Sequence, residues 1–85
     1  MKVRVLFFAS LREQVGSAGE EIELPAGVTT VAGLRAHLMA RGGAWGAALG
    51  DARRLRAALN QDMVKPGAAL RAGDEVAFFP PVTGG

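Results

Sequence analysis

The chain ends Pro80-Pro81-Val82-Thr83-Gly84-Gly85, and its last two residues have no side chain. A carboxylate on such a terminus can do chemistry without any side-chain nucleophile. Once activated, its carbonyl is an unhindered electrophile, and the glycines let the backbone enter a narrow channel. Pro80 and Pro81 lack N–H groups and hold φ near −65°, so a sheet ladder must end there. Pro81 also drives Pro80 toward extended geometry, which stiffens the base of the tail. Fully extended, the six residues from Pro80 to Gly85 reach roughly 20 Å from the body. The plainer reading is a frayed end. With 12 glycines among 85 residues, a terminal pair arises by chance in about 2% of such chains. Frayed ends seldom run straight from a strand through a diproline, so the pair gains weight from what precedes it.

Other residue types capable of chemistry are sparse. There is no cysteine, which excludes disulfides, thiolate metal sites and a cysteine nucleophile. His37 is the single histidine, so a metal site would need carboxylates around one imidazole, and a plain surface histidine is the simpler reading. Ser10 and Ser17 fall in loop positions without the ordered base that a nucleophilic serine needs. No G-x-G-x-x-G or P-loop pattern occurs, so no cofactor is expected on this chain and any ATP would bind an activating partner. The formal net charge is only +2, and eight arginines against two lysines account for much of the high pI of about 9.9. The longest basic run is Arg53-Arg54, with Arg56 nearby, too thin for a nucleic-acid face. No apolar stretch approaches the ~18 residues of a membrane span, and Met1-Lys2-Val3-Arg4 does not open a signal peptide. The expectation is a cytoplasmic protein with neither nucleic acid nor membrane as partner.

The elements that must position the tail follow from periodicity. Residues 2–8 alternate and are rich in β-branched and aromatic types, which predicts a strand with Val3, Val5 and Phe7 on one face. Ser10 is placed to cap a short helical turn over residues 11–15, ended by Gly16. A second strand spans 20–24, with Ile22 and Leu24 on one side and Pro25 and Gly27 after it. Thr29 or Thr30 can cap the principal helix, which runs to Arg41 with Val31, Leu34 and Leu38 on one face, until Gly42-Gly43 stops it. Trp45, Ala48 and Leu49 suggest a second short helix. A strand over 54–59, a turn at Asn60-Gln61-Asp62, the pair Met63-Val64 and a final strand over 75–79 complete the chain. A first strand paired with a last one needs a crossover, and the principal helix supplies it. The expectation is one α+β domain over residues 1–79, a mixed sheet of four to five strands grasping one helix, and an extended tail over 80–85. Parity puts Val76 and Phe78 in the core and leaves Glu75, Ala77 and Phe79 on the open face. Phe79 beside the tail reads as a partner contact, because aromatic residues anchor interfaces. The alternative is that the short second helix covers it. Arg4, Arg54 and Arg56 can line the same face and steer an acidic partner, or simply be solvated.

The run Glu75-Val76-Ala77-Phe78-Phe79-Pro80-Pro81-Val82-Thr83-Gly84-Gly85, following Gly73-Asp74, resembles the end of the molybdopterin synthase small-subunit family. The opening Val5-Leu6-Phe7-Phe8-Ala9-Ser10-Leu11-Arg12-Glu13 and the segment Ala57-Ala58-Leu59-Asn60-Gln61-Asp62 resemble that family too, with Leu59 where a valine is common. The resemblance implies a ubiquitin-like β-grasp fold and a sulfur carrier for molybdenum cofactor biosynthesis. In that family an E1-like enzyme adenylates the terminal carboxylate with ATP, and sulfur from a sulfurtransferase persulfide converts it to a thiocarboxylate. Docked in the large subunit of a heterotetramer, the thiocarboxylate donates sulfur to cyclic pyranopterin monophosphate. Carried onto this chain, Gly85 bears the reactive group, and Gly84, Thr83, Val82, Pro81, Pro80, Phe79 and Phe7 contact partners. The resemblance thus makes Phe7 an interface residue, whereas strand parity makes it core. The chain would supply a nucleophile but no acid or base, so it is non-catalytic alone. Other readings are a carrier for thiazole or tRNA thiolation, a ubiquitin-like protein modifier, and a passive binding module.

Overall fold

Alternation of apolar and charged residues makes the first strand half-buried, and the computed structural model, which describes residues 1–50 and 54–81, shows it so. In β1 (Lys2–Phe7), Val3, Val5 and Phe7 are buried while Lys2 and Arg4 face solvent. Its antiparallel neighbour is β2 (Gly19–Glu23), in a register that sets Lys2 opposite Glu23 and Arg4 opposite Glu21. These cross-strand pairs of opposite charge favour that register by a few tenths of a kcal/mol each. The Met1 ammonium extends the pairing, donating to the Leu24 carbonyl at 3.2 Å and approaching the Glu23 carboxylate at 3.1 Å. β2 begins one residue before the predicted position and ends one earlier, but Ile22 and Leu24 are both buried as expected.

Between these strands lies α1 (Ala9–Val15), which starts two residues before the expected turn. Ser10 is not its cap. It lies inside the helix, and Phe8 takes the N-cap position without a side-chain hydrogen bond. Ala9 adopts a left-handed φ of 54°, which turns the chain sharply out of β1 into the helix. Gly16 closes α1 in the left-handed region, its N–H donating to the Arg12 carbonyl at 3.0 Å.

The principal helix is α2 (Val31–Met39), capped by Thr30, whose Oγ1 accepts from the Gly33 N–H at 3.1 Å. Val31, Leu34 and Leu38 form its buried stripe. It stops short of Arg41: the N–H groups of Arg41 and Gly42 donate three residues back, to Leu38 and Met39, and the tightened turn leads into α3 (Gly43–Leu49). α3 buries Ala48 and Leu49. Trp45 packs edge-on against Phe7 with ring centroids 5.3 Å apart. The Arg41 guanidinium lies 4.5 Å from the Trp45 ring centre and pairs with Glu20 at 2.6 Å, tying α2, α3 and β2 together. Arg35 donates to the carbonyls of Leu49 and Gly50 at 2.7 and 2.6 Å, satisfying the end of α3.

β3 (Arg56–Leu59) and β4 (Asp62–Val64) form a hairpin, and β5 (Glu75–Phe79) completes a mixed sheet of order β2-β1-β5-β3-β4 among the described residues. β3 starts at Arg56, leaving Arg54 and Leu55 outside the strand expected to contain them. β5 pairs parallel with β1 and antiparallel with β3, so the last strand sits at the centre of the sheet. One face packs on α2 and α3 around Phe7, Phe78, Leu34, Leu38 and Leu49; among the described residues no helix lies on the other face. This is the α+β grasp arrangement expected, with the last strand aiming the chain end.

Candidate functional site at the tail base and the open sheet face

Because β5 is central, the base of the tail is held from both sides. Val76 pairs with Val5 and Leu59, and Phe78 pairs with Phe7 and Ala57, all within the core layer. The Phe8 N–H donates to the Phe78 carbonyl at 3.2 Å, one step beyond the β1 ladder. Phe79 lies opposite Arg56, and after it the ladder ends at Pro80 and Pro81, both half-buried. Val82, Thr83, Gly84 and Gly85 lie outside the described residues.

The start of β5 is locked as firmly. Asn60 and Gln61 form the two-residue turn of the β3–β4 hairpin with φ of 50° and 74°, the geometry of a type I′ turn. Asn60 Nδ2 donates to Asp74 at 3.0 Å, and Asn60 Oδ1 accepts from the Glu75 N–H at 3.0 Å. Asp74 in turn accepts from the Arg71 N–H at 2.8 Å. The turn is thereby clipped to the first residue of β5, and the register of the whole strand is set from both ends.

On the open face, Leu6, Phe8, Ala58, Gln61, Glu75, Ala77 and Phe79 line a shallow groove of about 490 Å³. Phe8 is 47% exposed and Phe79 half-buried. Glu75, Ala77 and Phe79 stand where strand parity puts them, and α3 covers Phe7, not Phe79. The assignment of Phe7 to an interface is corrected here. Phe7 is only 1% exposed, in line with Val3 and Val5, and its ring abuts Trp45 inside the core. Phe8, its neighbour, points the other way and is the aromatic residue this strand offers a partner. Leu6, Ala58 and Gln61 were not singled out from the sequence, although the parity that buries Phe7 also places Leu6 beside Phe8. Finding Ala58 required the β3–β5 register, which no local pattern reveals.

Arg4, Arg54 and Arg56 are exposed, Arg4 and Arg56 at register positions opposite Glu75 and Phe79. His37 is half-buried on α2, and among the described residues no group of three or more His, Asp or Glu is placed to hold a metal ion. Among them, too, no helix is long and apolar enough to cross a membrane.

The ThiS family model matches residues 5–85, from the middle of β1 to the last glycine. The chain belongs to the ThiS family. Among its relatives, the molybdopterin synthase sulfur carrier subunit of Escherichia coli strain K12 is 49% identical over 83 residues, spanning 98% of this chain and 99% of that protein. Among solved structures, a putative molybdopterin converting factor subunit 1 from Pyrococcus furiosus matches with a TM-score of 0.79 at 30% identity. That match covers 96% of this chain and 99% of the other. The small archaeal modifier protein 1 of Haloferax volcanii matches with a TM-score of 0.74 at 29% identity, covering 95% and 98%. For this ThiS-family protein, then, the ubiquitin-like fold and the resemblance to molybdopterin synthase carriers agree along the whole chain.

Proposed function

We propose that this chain is the sulfur carrier of a molybdopterin synthase, with the C-terminal carboxylate of Gly85 as its working group. The observation that carries the reading is the 49% identity to the Escherichia coli sulfur carrier subunit over 98% of this chain. The geometry supports it. A central strand, clamped by Asn60 and Asp74 at its start and by β1 and β3 along its length, delivers a diproline lead-in next to an exposed apolar groove. A partner can grip the groove and thread the tail at the same time.

In this mechanism an E1-like enzyme binds ATP and joins the Gly85 carboxylate to AMP, releasing pyrophosphate. The mixed anhydride makes AMP the leaving group. A persulfide sulfur from a sulfurtransferase attacks the carbonyl, AMP departs, and thiol reduction of the resulting S–S bond leaves a thiocarboxylate. Like a thiolate, that group is ionised at neutral pH and strongly nucleophilic. In the large subunit, as part of a heterotetramer, it attacks cyclic pyranopterin monophosphate. Acid, base and pterin-binding groups belong to the large subunit, so the carrier is not an enzyme alone. ATP and the sulfur donor are consumed by partners in the cytoplasm, and the carrier holds no cofactor of its own. The test is a chain lengthened by one residue after Gly85. It should fold normally and carry no sulfur, and full activity without trimming would refute the reading.

A second reading has one observation behind it, the similarity to the Haloferax volcanii modifier. As a modifier, Gly85 would form isopeptide bonds with lysines, and conjugates of raised mass would appear on gels where a carrier gives none.

A further inference from the structure

Three described residues other than glycine adopt a left-handed backbone: Ala9, Asn60 and Gln61, at φ of 54°, 50° and 74°. That conformation costs an ordinary residue free energy, which its surroundings must offset. Two of the three have a clear structural return. Ala9 turns the chain out of β1 into α1. Asn60 is a type that tolerates the region, and its side chain clips the hairpin to Asp74 and to the Glu75 N–H. Gln61 has no such return. It holds the second position of the turn, where glycine is favoured, and among the described residues its side-chain amide makes no hydrogen bond. It is exposed, and it lines the open-face groove.

That groove has an apolar end and a polar end. Phe8 and Phe79 stand at the end beside the tail. Glu75, bonded to the turn that holds Gln61, stands at the other, roughly 13 Å away along β5. Glu75 faces Arg4 across the ladder, which leaves Gln61 as the neutral polar group of the lining. The groove adjoins Pro80 and Pro81, so a partner that takes the tail lies against it. We propose that Gln61 is a specificity-determining residue of this interface, pairing through its amide with a main-chain peptide group of the large-subunit segment that fills the groove. The inference rests on the sulfur-carrier reading. A side-chain amide carries both N–H donors and a C=O acceptor, which match the two groups of a peptide unit. A partner peptide covered here without that match would be left unpaired, which penalises a wrong segment or a shifted one. The aromatic end supplies contact area, and Gln61 sets the position of the partner along the groove.

The experiment measures, by calorimetry, the affinity of the full-length chain for the large synthase subunit, with Gln61→Gly and Gln61→Met compared with the unsubstituted protein. Gln61→Gly removes both the amide and the strain. Its melting temperature should be unchanged or up to about 4 °C higher, while binding weakens about tenfold. Gln61→Met keeps the length of the side chain without its hydrogen bonds, and should weaken binding to a similar degree. A side chain kept for the fold alone would give the opposite pattern, a lower melting temperature in Gln61→Gly with affinity intact. The proposal is overturned if either variant binds within about twofold of the unsubstituted protein, or if Gln61→Gly melts several degrees lower. Failure of the unsubstituted protein to bind the large subunit would overturn the sulfur-carrier reading together with this inference. Normal binding that the Gln61 variants leave intact would overturn this inference alone.

Discussion

Two adjacent phenylalanines should behave as opposites when each is cut back to alanine. Phe7 is 1% exposed and packs against Trp45 at 5.3 Å. Its removal takes a full aromatic side chain from the core, and such truncations cost about 3–5 kcal/mol. A domain of this size has a total stability of roughly 4–13 kcal/mol, so Phe7→Ala should lose a large share of it. Phe8 is 47% exposed on the open face, so Phe8→Ala should change stability by about 1 kcal/mol or less. Its effect belongs in binding, where loss of an aromatic anchor costs about 2 kcal/mol, close to a thirtyfold weaker complex. Denaturant unfolding followed by Trp45 fluorescence reads the first quantity. Titration against the large synthase subunit reads the second. If Phe7→Ala does not fold, Phe7→Leu serves in its place, and it should still destabilise more than Phe8→Ala. Equal stability losses for the two positions, or unchanged partner affinity in Phe8→Ala, would refute the assignment of faces.

Further expectations concern the frame around the tail. Thr30→Ala removes the oxygen that accepts from Gly33 at 3.1 Å, and should lower stability by about 1 kcal/mol in thermal unfolding. Asp74→Ala releases the Asn60 amide and the Arg71 N–H; a loss of about 1–2 kcal/mol in denaturant unfolding is expected, with slower sulfur transfer because the start of β5 loosens. Gly19→Ala would bring a Cβ to 2.8 Å from the Val5 carbonyl oxygen, and should cost about 1–3 kcal/mol by forcing β2 away from β1. A bulky residue at Gly84 should block activation by the proposed E1-like enzyme, measured as pyrophosphate release, without altering the melting temperature.

Much of the frame was legible because it rests on local patterns. Period-two alternation in β1 and β5 named their buried faces, and the Val31, Leu34 and Leu38 stripe identified α2. Thr30 was one of two caps offered, and the structure chose it through Gly33. What could not be read locally depends on distant parts of the chain. The α1 start at Ala9 needs a left-handed residue with no glycine to announce it. The identity of the open-face aromatic shows the same limit from another side. Resemblance made Phe7 an interface residue and parity made it core, and burial against Trp45 in α3 decided for parity. The neighbours Ala58 and Gln61 reach the groove only through the β3–β5 register and the turn after it. The tail itself, Val82 to Gly85, is read from composition and family membership.

The most direct measurement is the intact mass of the chain after incubation with the proposed E1-like enzyme, ATP and a sulfur donor. The sulfur-carrier account expects a gain equal to the replacement of one oxygen by sulfur, mapped to Gly85 by fragmentation. An unchanged mass, with the same enzyme shown to load another carrier, would contradict it.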